Sequence, residues 1–139
     1  MTMHSERHDE TATRSFVLGM GCERGTAPED ALTLANRALR DLGISAAQLA
    51  GLASIETRRG EPALLAVAAQ LDVPLRFFSA PRLEDETPRL KNPSELVFAR
   101  VGCHGVAEAA ALAAAGPEAE LVLAKIKSGF STAAIAKIV

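Results

Sequence analysis

The stretch from residue 15 to residue 29 constrains the fold most, because an apolar run there leads through several glycines into the start of a helix. The run Ser15–Leu18 stops at a pair of glycines, Gly19 and Gly21, which is typical of an inner strand that ends in a tight loop. Loops held by a rigid sheet commonly carry functional residues. We therefore expect the functional site at or near this loop.

The loop is followed by strong signals for a helix start. Thr26 and Glu29 have the spacing of a capping box, and Pro28 in the first turn loses only an N–H that has no intrahelical partner. Such a helix end directs free N–H groups and a positive dipole end toward the loop, which suits a carboxylate or a phosphate. Arg24 stands where a dinucleotide fingerprint requires its third glycine, and no P-loop sequence is present. A plain strand-to-helix turn explains the same glycines.

Composition excludes several classes of function. Lys and Arg number 15 against 17 Asp and Glu, and Trp and Tyr are absent, so a basic nucleic-acid face with stacking aromatics is not supported. No apolar run approaches the roughly 20 residues of a membrane span. Residues 1 to 14 are polar and lack the apolar core of a signal peptide, which predicts a disordered tail and a cytoplasmic protein. The two cysteines are expected to be free thiols.

Helical and strand patterns alternate through the first half of the chain. Apolar residues recur at helical spacing over residues 28–42 and 61–71. Short apolar runs over residues 49–55 and 75–78 predict further strands. This alternation favours parallel strands joined by right-handed crossovers, with helices covering the sheet.

The second half departs from this alternation. Residues 79–92 are rich in charges and proline, which predicts a flexible loop or lid, or a solvated surface loop without function. A short helix at 95–101 and an alanine-rich helix at 106–115 follow, and the latter must pack closely on a neighbour. Strands at 120–126 and 132–138 flank a hairpin loop. Residues 15–139 are thus predicted to form one three-layer α/β/α domain with a mixed, mainly parallel sheet and a C-terminal β-hairpin.

Three motifs in this order resemble one known family. They are Gly19-Met20-Gly21-Cys22-Glu23-Arg24-Gly25, Ser54-Ile55-Glu56-Thr57, and Gly102-Cys103-His104-Gly105-Val106-Ala107-Glu108-Ala109-Ala110-Ala111-Leu112. Together they resemble the CobE and CbiG C-terminal-domain family of cobalamin (vitamin B12) biosynthesis. The resemblance extends from Ser15 to Val139.

The resemblance implies a role in corrin chemistry. Larger members of the family carry an N-terminal domain and are associated with opening the lactone of cobalt-precorrin-5A and releasing a two-carbon fragment. This chain lacks room for that domain and so resembles the stand-alone type of the aerobic corrin pathway, with no cofactor. Three hypotheses follow: binding of a corrin-ring precursor of the precorrin or hydrogenobyrinic acid type, hydrolysis of a precorrin lactone, or docking of another pathway enzyme.

The candidate site combines polar residues that follow the predicted strands with residues of the family motifs. Corrin precursors carry acetate and propionate carboxylates, which N–H groups and cations bind well. In an open parallel sheet, ligands lie outside the carboxyl ends of the strands. The candidate substrate-binding residues are Gly21, Cys22, Arg24, Thr57, Arg58, His104 and Gly105, and the candidate catalytic carboxylates are Glu108 and Glu23.

Several of these residues also have simpler interpretations. Glu108 in a first helical turn complements the helix dipole without any catalytic role. The arginines are equally typical of a solvated surface. Cys22, Cys103 and His104 raise the possibility of a metal site or a thiolate nucleophile, but a structural zinc site requires four ligands, and no metal site is predicted.

Overall fold

The computed structural model describes residues 14–139. The predicted tail lies outside these residues except for Arg14, whose guanidinium donates to the carbonyl of Leu49 at 3.3 Å. Five strands form one sheet, namely β1 (Phe16–Cys22), β2 (Leu49–Ile55), β3 (Leu75–Phe78), β4 (Glu120–Ser128) and β5 (Ser131–Lys137). All five predicted strands are present, and the hairpin strands extend closer to their turn than predicted. The predicted loop at Gly19 and Gly21 was wrong, because β1 continues four residues beyond Leu18 and pairs with β5 as far as Cys22.

The sheet order is β3-β2-β1-β5-β4. The pairs β1–β2 and β2–β3 are parallel, whereas β5 is antiparallel to both of its neighbours, β1 and β4. Four strands therefore point the same way and β5 alone is reversed. The predicted mixed sheet with a C-terminal hairpin is confirmed. The order also places the carboxyl ends of β1, β2 and β4 along one edge.

Helices cover both faces of the sheet, which confirms the predicted three layers. Their bounds are α1 (Pro28–Leu42), α2 (Pro62–Leu71), α3 (Ala80–Glu84), α4 (Glu95–Val101) and α5 (Ala107–Ala115). Helices α1 and α2 pack on the face of β1 that carries Leu18 and Met20. Helices α3 and α5 pack on the opposite face, which carries Val17. No helix between residues 14 and 139 has both the length and the apolar character that crossing a membrane requires.

The alanine-rich helix α5 lies directly against β1. A Cβ built on Gly19 would stand 2.7 Å from the backbone nitrogen of Ala111 and would also overlap the carbonyl of Ala107. Only a glycine permits this approach, because real Cβ atoms do not come so close to backbone. The predicted close packing of this helix is confirmed, and it explains why its residues are small.

Segment 79–92 differs from the predicted flexible loop. It contains α3 and a turn of 3-10 helix at Thr87–Arg89, and Leu83 is fully buried in the core between α5 and the sheet. Glu86 accepts from Arg82 at 2.7 Å and from Arg89 at 2.6 Å. The prediction of a loop was wrong because these charges pair with each other locally, while Leu83 packs inward together with the partly buried Ala80 and Leu90.

The predicted capping box at the start of α1 does not form. The helix begins at Pro28, but its N-cap residue is Ala27 rather than Thr26 and it has no side-chain cap. The hydroxyl of Thr26 instead donates to the carbonyl of Glu23 at 2.6 Å and closes the preceding loop. Pro28 at the first helical position starts the helix without a cap, since its fixed φ is already helical.

Candidate functional site

A cavity of about 200 Å³ opens at the edge of the sheet where β1, β2 and β4 end. Strand β1 lies between β2 and β5. The strands that follow β1 in sequence, β2 and β3, lie on one side of it, whereas the last two, β4 and β5, lie on the other. This reversal of strand order is the usual position of ligands in open α/β sheets. The lining comes from β1, β2, the β4–β5 hairpin, α4 and the residues before α5, and comprises Gly21, Cys22, Glu23, Ile55, Arg58, Val97, Arg100, Val101, Gly105, Val106, Lys125, Lys127, Gly129, Phe130, Ser131 and Thr132.

Positive charge dominates the polar part of the lining. Arg58, Arg100, Lys125 and Lys127 line the cavity, whereas Glu23 is the single acidic residue that the described residues contribute to it. Within the described part of the chain, none of these four cations forms a salt bridge. Their charges are therefore available to an anionic ligand.

Apolar side chains form the rest of the wall. Val97 and Val101 come from α4, Val106 precedes α5, and Phe130 stands at the tip of the hairpin with 58% of its surface exposed. Pockets for organic ligands commonly combine such apolar walls with a few placed polar groups. The arrangement suits an acidic molecule that also has an apolar surface.

Hydrogen bonds hold the loops after β1 and β2 together beside the cavity. The Nε of Arg58 donates to the carbonyl of Cys22 at 2.7 Å. The guanidinium of Arg24 donates to the carbonyl of Thr57 at 3.1 Å, and the buried carboxylate of Glu61 accepts from the N–H of Gly25 at 3.1 Å. These contacts fix the backbone at Cys22 and the position of Arg58.

The two cysteines are free and buried. Burial, with the nearby charge of Glu61, raises the pKa of the Cys22 thiol to about 11. Burial likewise raises the pKa of Cys103. Burial therefore disfavours a thiolate nucleophile at either cysteine, because it disfavours the charged form of the thiol. Between residues 14 and 139, no three His, Cys, Asp or Glu side chains lie where they would hold a metal ion together.

His104 lies behind α4 and does not line the cavity. Its Nδ1 is 2.8 Å from Glu84 Oε2 and its Nε2 is 3.2 Å from Glu95 Oε2. The ring stacks on Phe98 with centroids 4.4 Å apart. The hydrogen bond that Glu84 accepts from the ring raises the pKa of His104. His104 thus connects α4 to α3.

Glu108 is buried, with 2% of its surface exposed, and all its partners are donors. Its Oε1 accepts the backbone N–H of Lys91 at 3.0 Å and of Asn92 at 2.9 Å, and its Oε2 accepts the side chain of Asn92 at 2.8 Å and the N–H of Lys125 at 2.8 Å. These hydrogen bonds outweigh the burial, so the pKa of Glu108 is lowered. A carboxylate that is held ionised and surrounded by donors is a poor general base.

The structure brings together five of the predicted site residues at the cavity wall: Gly21, Cys22, Glu23, Arg58 and Gly105. The other four, namely Arg24, Thr57, His104 and Glu108, are not part of the lining. Arg24 and Thr57 bond to each other, and His104 and Glu108 support neighbouring elements.

Four residues of the lining were not predicted as site residues, namely Arg100, Lys125, Lys127 and Phe130. The sequence of β4 gives a weak indication of the two lysines, because Ile126 separates Lys125 from Lys127. Residues two apart in a strand share one face. No sequence pattern around Arg100, an exposed residue of α4, predicts that it lines a site.

The fold and the cavity together define a class of protein. Its members are small three-layer α/β domains with a mixed sheet and a cation-lined cavity where the strand order reverses. The family model described as cobalamin synthesis G C-terminus matches residues 16–136. The chain belongs to this family, and with it to the proteins of cobalamin biosynthesis. The resemblance that the three motifs predicted is confirmed.

Known relatives agree with this assignment. The chain is 50% identical to protein CobE of Sinorhizobium sp. over 137 residues, which is 96% of this chain and 89% of that protein. It is 34% identical to a cobalt-precorrin-5A hydrolase of Priestia megaterium over 123 residues, 88% of this chain but only 32% of the hydrolase. The crystal structure of CobE, a protein from the cobalamin (vitamin B12) biosynthetic pathway, is similar with a TM-score of 0.83 and 39% identity, covering 90% of this chain and 91% of that one.

Proposed function

We propose that this chain binds a corrin-ring precursor of the precorrin or hydrogenobyrinic acid type in the cavity, as a protein of the aerobic corrin pathway. The observation that carries the proposal is a set of four cations, Arg58, Arg100, Lys125 and Lys127, that form no salt bridge within residues 14–139. They surround a partly apolar cavity to which these residues contribute one acidic side chain. Corrin precursors present ionised acetate and propionate groups around a large apolar ring. Charge-assisted hydrogen bonds to such carboxylates are among the stronger polar contacts in proteins.

The size of the cavity indicates which part of the ligand it takes. Its volume of about 200 Å³ lies below the roughly 300–1,000 Å³ of pockets that enclose a drug-sized ligand. The macrocycle is larger than such ligands, so the cavity accommodates one edge of the ring with its peripheral carboxylates. The exposed Phe130 at the rim is placed to contact the apolar face of the ring.

A titration followed by visible absorbance tests this proposal. Purified protein is titrated into hydrogenobyrinic acid and into precorrin intermediates, with the parent compared with Lys125→Met and Arg100→Met. We expect a spectral shift for the parent and an affinity at least about tenfold lower for each variant, since each loses a charge-assisted bond. Lys137→Met, which removes an exposed lysine outside the cavity, is the matched control and should bind like the parent.

The absence of a spectral shift with every corrinoid would overturn the proposal. Docking of another pathway enzyme would then be the better hypothesis, and the surface rather than the cavity would have to explain it. Equal losses in Lys137→Met and the cavity variants would also contradict the assigned site. Partner enzymes and a cytoplasmic location stay predictions.

Hydrolysis of a precorrin lactone is a second candidate, because Glu23 lines the cavity and a cobalt-precorrin-5A hydrolase is 34% identical to the chain. In that reaction Glu23 would accept a proton from a water that adds to the lactone carbonyl. The ring C–O bond would break and its oxygen would take up the proton. Mass spectrometry of the incubated ligand distinguishes the two candidates: an unchanged mass supports binding alone, whereas a change that Glu23→Gln abolishes while binding persists establishes hydrolysis.

A further inference from the structure

The buried carboxylate of Glu108 connects two segments that are far apart in sequence. One is the pair Lys91 and Asn92, which lies two residues before the start of α4, and the other is Lys125 in β4. The three backbone N–H groups and the Asn92 side chain approach within 2.8–3.0 Å of its oxygens. The position of the carboxylate is therefore fixed from both sides.

Strand β4 is irregular at the point that Glu108 contacts. Leu123 pairs with Ile135 and Ile126 with Ala133, so β4 advances three residues while β5 advances two. The extra residue is a β-bulge, which takes one residue out of the ladder and re-aims neighbouring side chains. The N–H of Lys125 donates to Glu108 Oε2 at 2.8 Å. Glu108 thus supplies the acceptor for an N–H in the irregular part of the strand.

Lys125 is one of the four cations that line the cavity. We propose that Glu108 is a positioning residue that holds the β4 bulge and thereby directs Lys125 to the carboxylate of the bound ligand. This inference rests on the proposed function, because it assigns Glu108 a part in binding through Lys125. A first-turn Glu that only complemented the helix dipole would not need these donors.

A double-mutant cycle on hydrogenobyrinic acid affinity tests the inference. Glu108→Gln, Lys125→Met and the double variant are compared with the parent by absorbance titration. We expect Glu108→Gln to lose about tenfold in affinity in the parent background, since a misplaced ammonium forfeits a charge-assisted bond. In the Lys125→Met background the same change should have almost no effect on affinity, because the group it positions is gone.

A loss of stability alone would not give this result. A merely structural Glu108 would lower the unfolding free energy in both backgrounds and leave the two affinity effects independent. Additive losses in affinity would therefore overturn the inference. Glu118→Gln, which removes an exposed carboxylate shortly after α5, is the matched control and should bind like the parent.

A measurement without ligand separates failure of this inference from failure of the proposed function. Amide hydrogen exchange of Lys125 should be faster in Glu108→Gln than in the parent relative to amides of β1, because its acceptor is weakened. Equal protection in both proteins would overturn the positioning role whatever the ligand. A different outcome is faster exchange in the variant while the parent binds no corrinoid. Glu108 would then still hold the bulge, but its role in binding and the proposed function would both be refuted.

Discussion

Arg58 donates from Nε to the carbonyl of Cys22 at 2.7 Å, so the loop after β2 holds the end of β1 beside the cavity. Arg58→Lys keeps the charge but lacks the planar group that makes this bond. We expect the variant to lose about 1 kcal/mol of unfolding free energy in chemical denaturation. Corrinoid affinity should fall less than in Arg58→Gln, which removes the charge as well. Arg40→Lys, on an exposed turn of α1, controls for the exchange itself, and an equal loss there would contradict the role of the bond.

The approach of α5 to β1 at Gly19 makes this position sensitive to a single methyl group. Gly19→Ala should destabilise the protein by about 3 kcal/mol. The added methyl group meets the backbone of Ala107 and Ala111 and forces α5 away from the sheet. Gly43→Ala is the comparison, since its φ of 80° costs backbone strain but its Cβ meets nothing within 4 Å. That variant should lose about 1 kcal/mol. Similar losses by thermal unfolding would argue against the close contact.

Local patterns were sufficient to predict most of the fold. The bounds of β2 and β3 follow from short apolar runs between turn residues, and the alternation with helices fixed the parallel half of the sheet. Segment 79–92 was not predictable in this way. Its helix α3 has five residues, which is too short to show helical periodicity. The fully buried apolar residue of this segment, Leu83, is flanked by charges in the sequence.

The candidate site was predictable on the side that β1 and β2 form and at Gly105 before α5. Gly21, Cys22 and Glu23 lie within a few residues of the end of the first predicted strand, and Arg58 lies three residues after the second. The carboxyl ends of parallel neighbours meet at one edge of the sheet. Lys125 and Lys127 of β4 line the same cavity because β5 lies between β1 and β4 in the sheet. A hairpin is visible in the sequence, but the strand that it pairs with is set by long-range packing, which no local pattern reports.

The buried thiol of Cys22 provides a direct test of the cavity wall. With its pKa raised from 9.0 to about 11, Cys22 holds a thiolate fraction about 100-fold below that of a free thiol at pH 8. Alkylation by iodoacetamide in the native protein should be slower by at least this factor, and Cys103 should also be protected. Both should react at the ordinary rate in denaturant. Rapid native labelling of Cys22 would restore the nucleophile hypothesis.

The pairing of His104 with Glu84 and Glu95 predicts a dependence of stability on pH. The pKa of His104 is raised above 6.5, so the folded state binds its proton more tightly than the unfolded state. The contribution is complete below pH 6.5 and is lost as the pH rises through the folded value. The difference in unfolding free energy between the parent and His104→Gln should therefore be largest near pH 6 and smaller at pH 8 to 9. A difference independent of pH would show that stacking on Phe98 alone holds α4.

Glu108 predicts the opposite dependence, at acid pH. Its pKa is lowered below 4.5, so the unfolded state binds the proton more tightly and the stabilisation is present above that value. It is lost as the pH falls through the folded pKa. At pH 7 we expect Glu108→Gln to be less stable than the parent by about 3 kcal/mol, since charge-assisted bonds to Lys91, Asn92 and Lys125 are weakened. Denaturant titrations from pH 7 to pH 3 should show this difference shrinking below about pH 4.5, because protonation turns the parent carboxylate into a neutral group like the amide. A constant difference over that range would mean that shape rather than charge secures the contact.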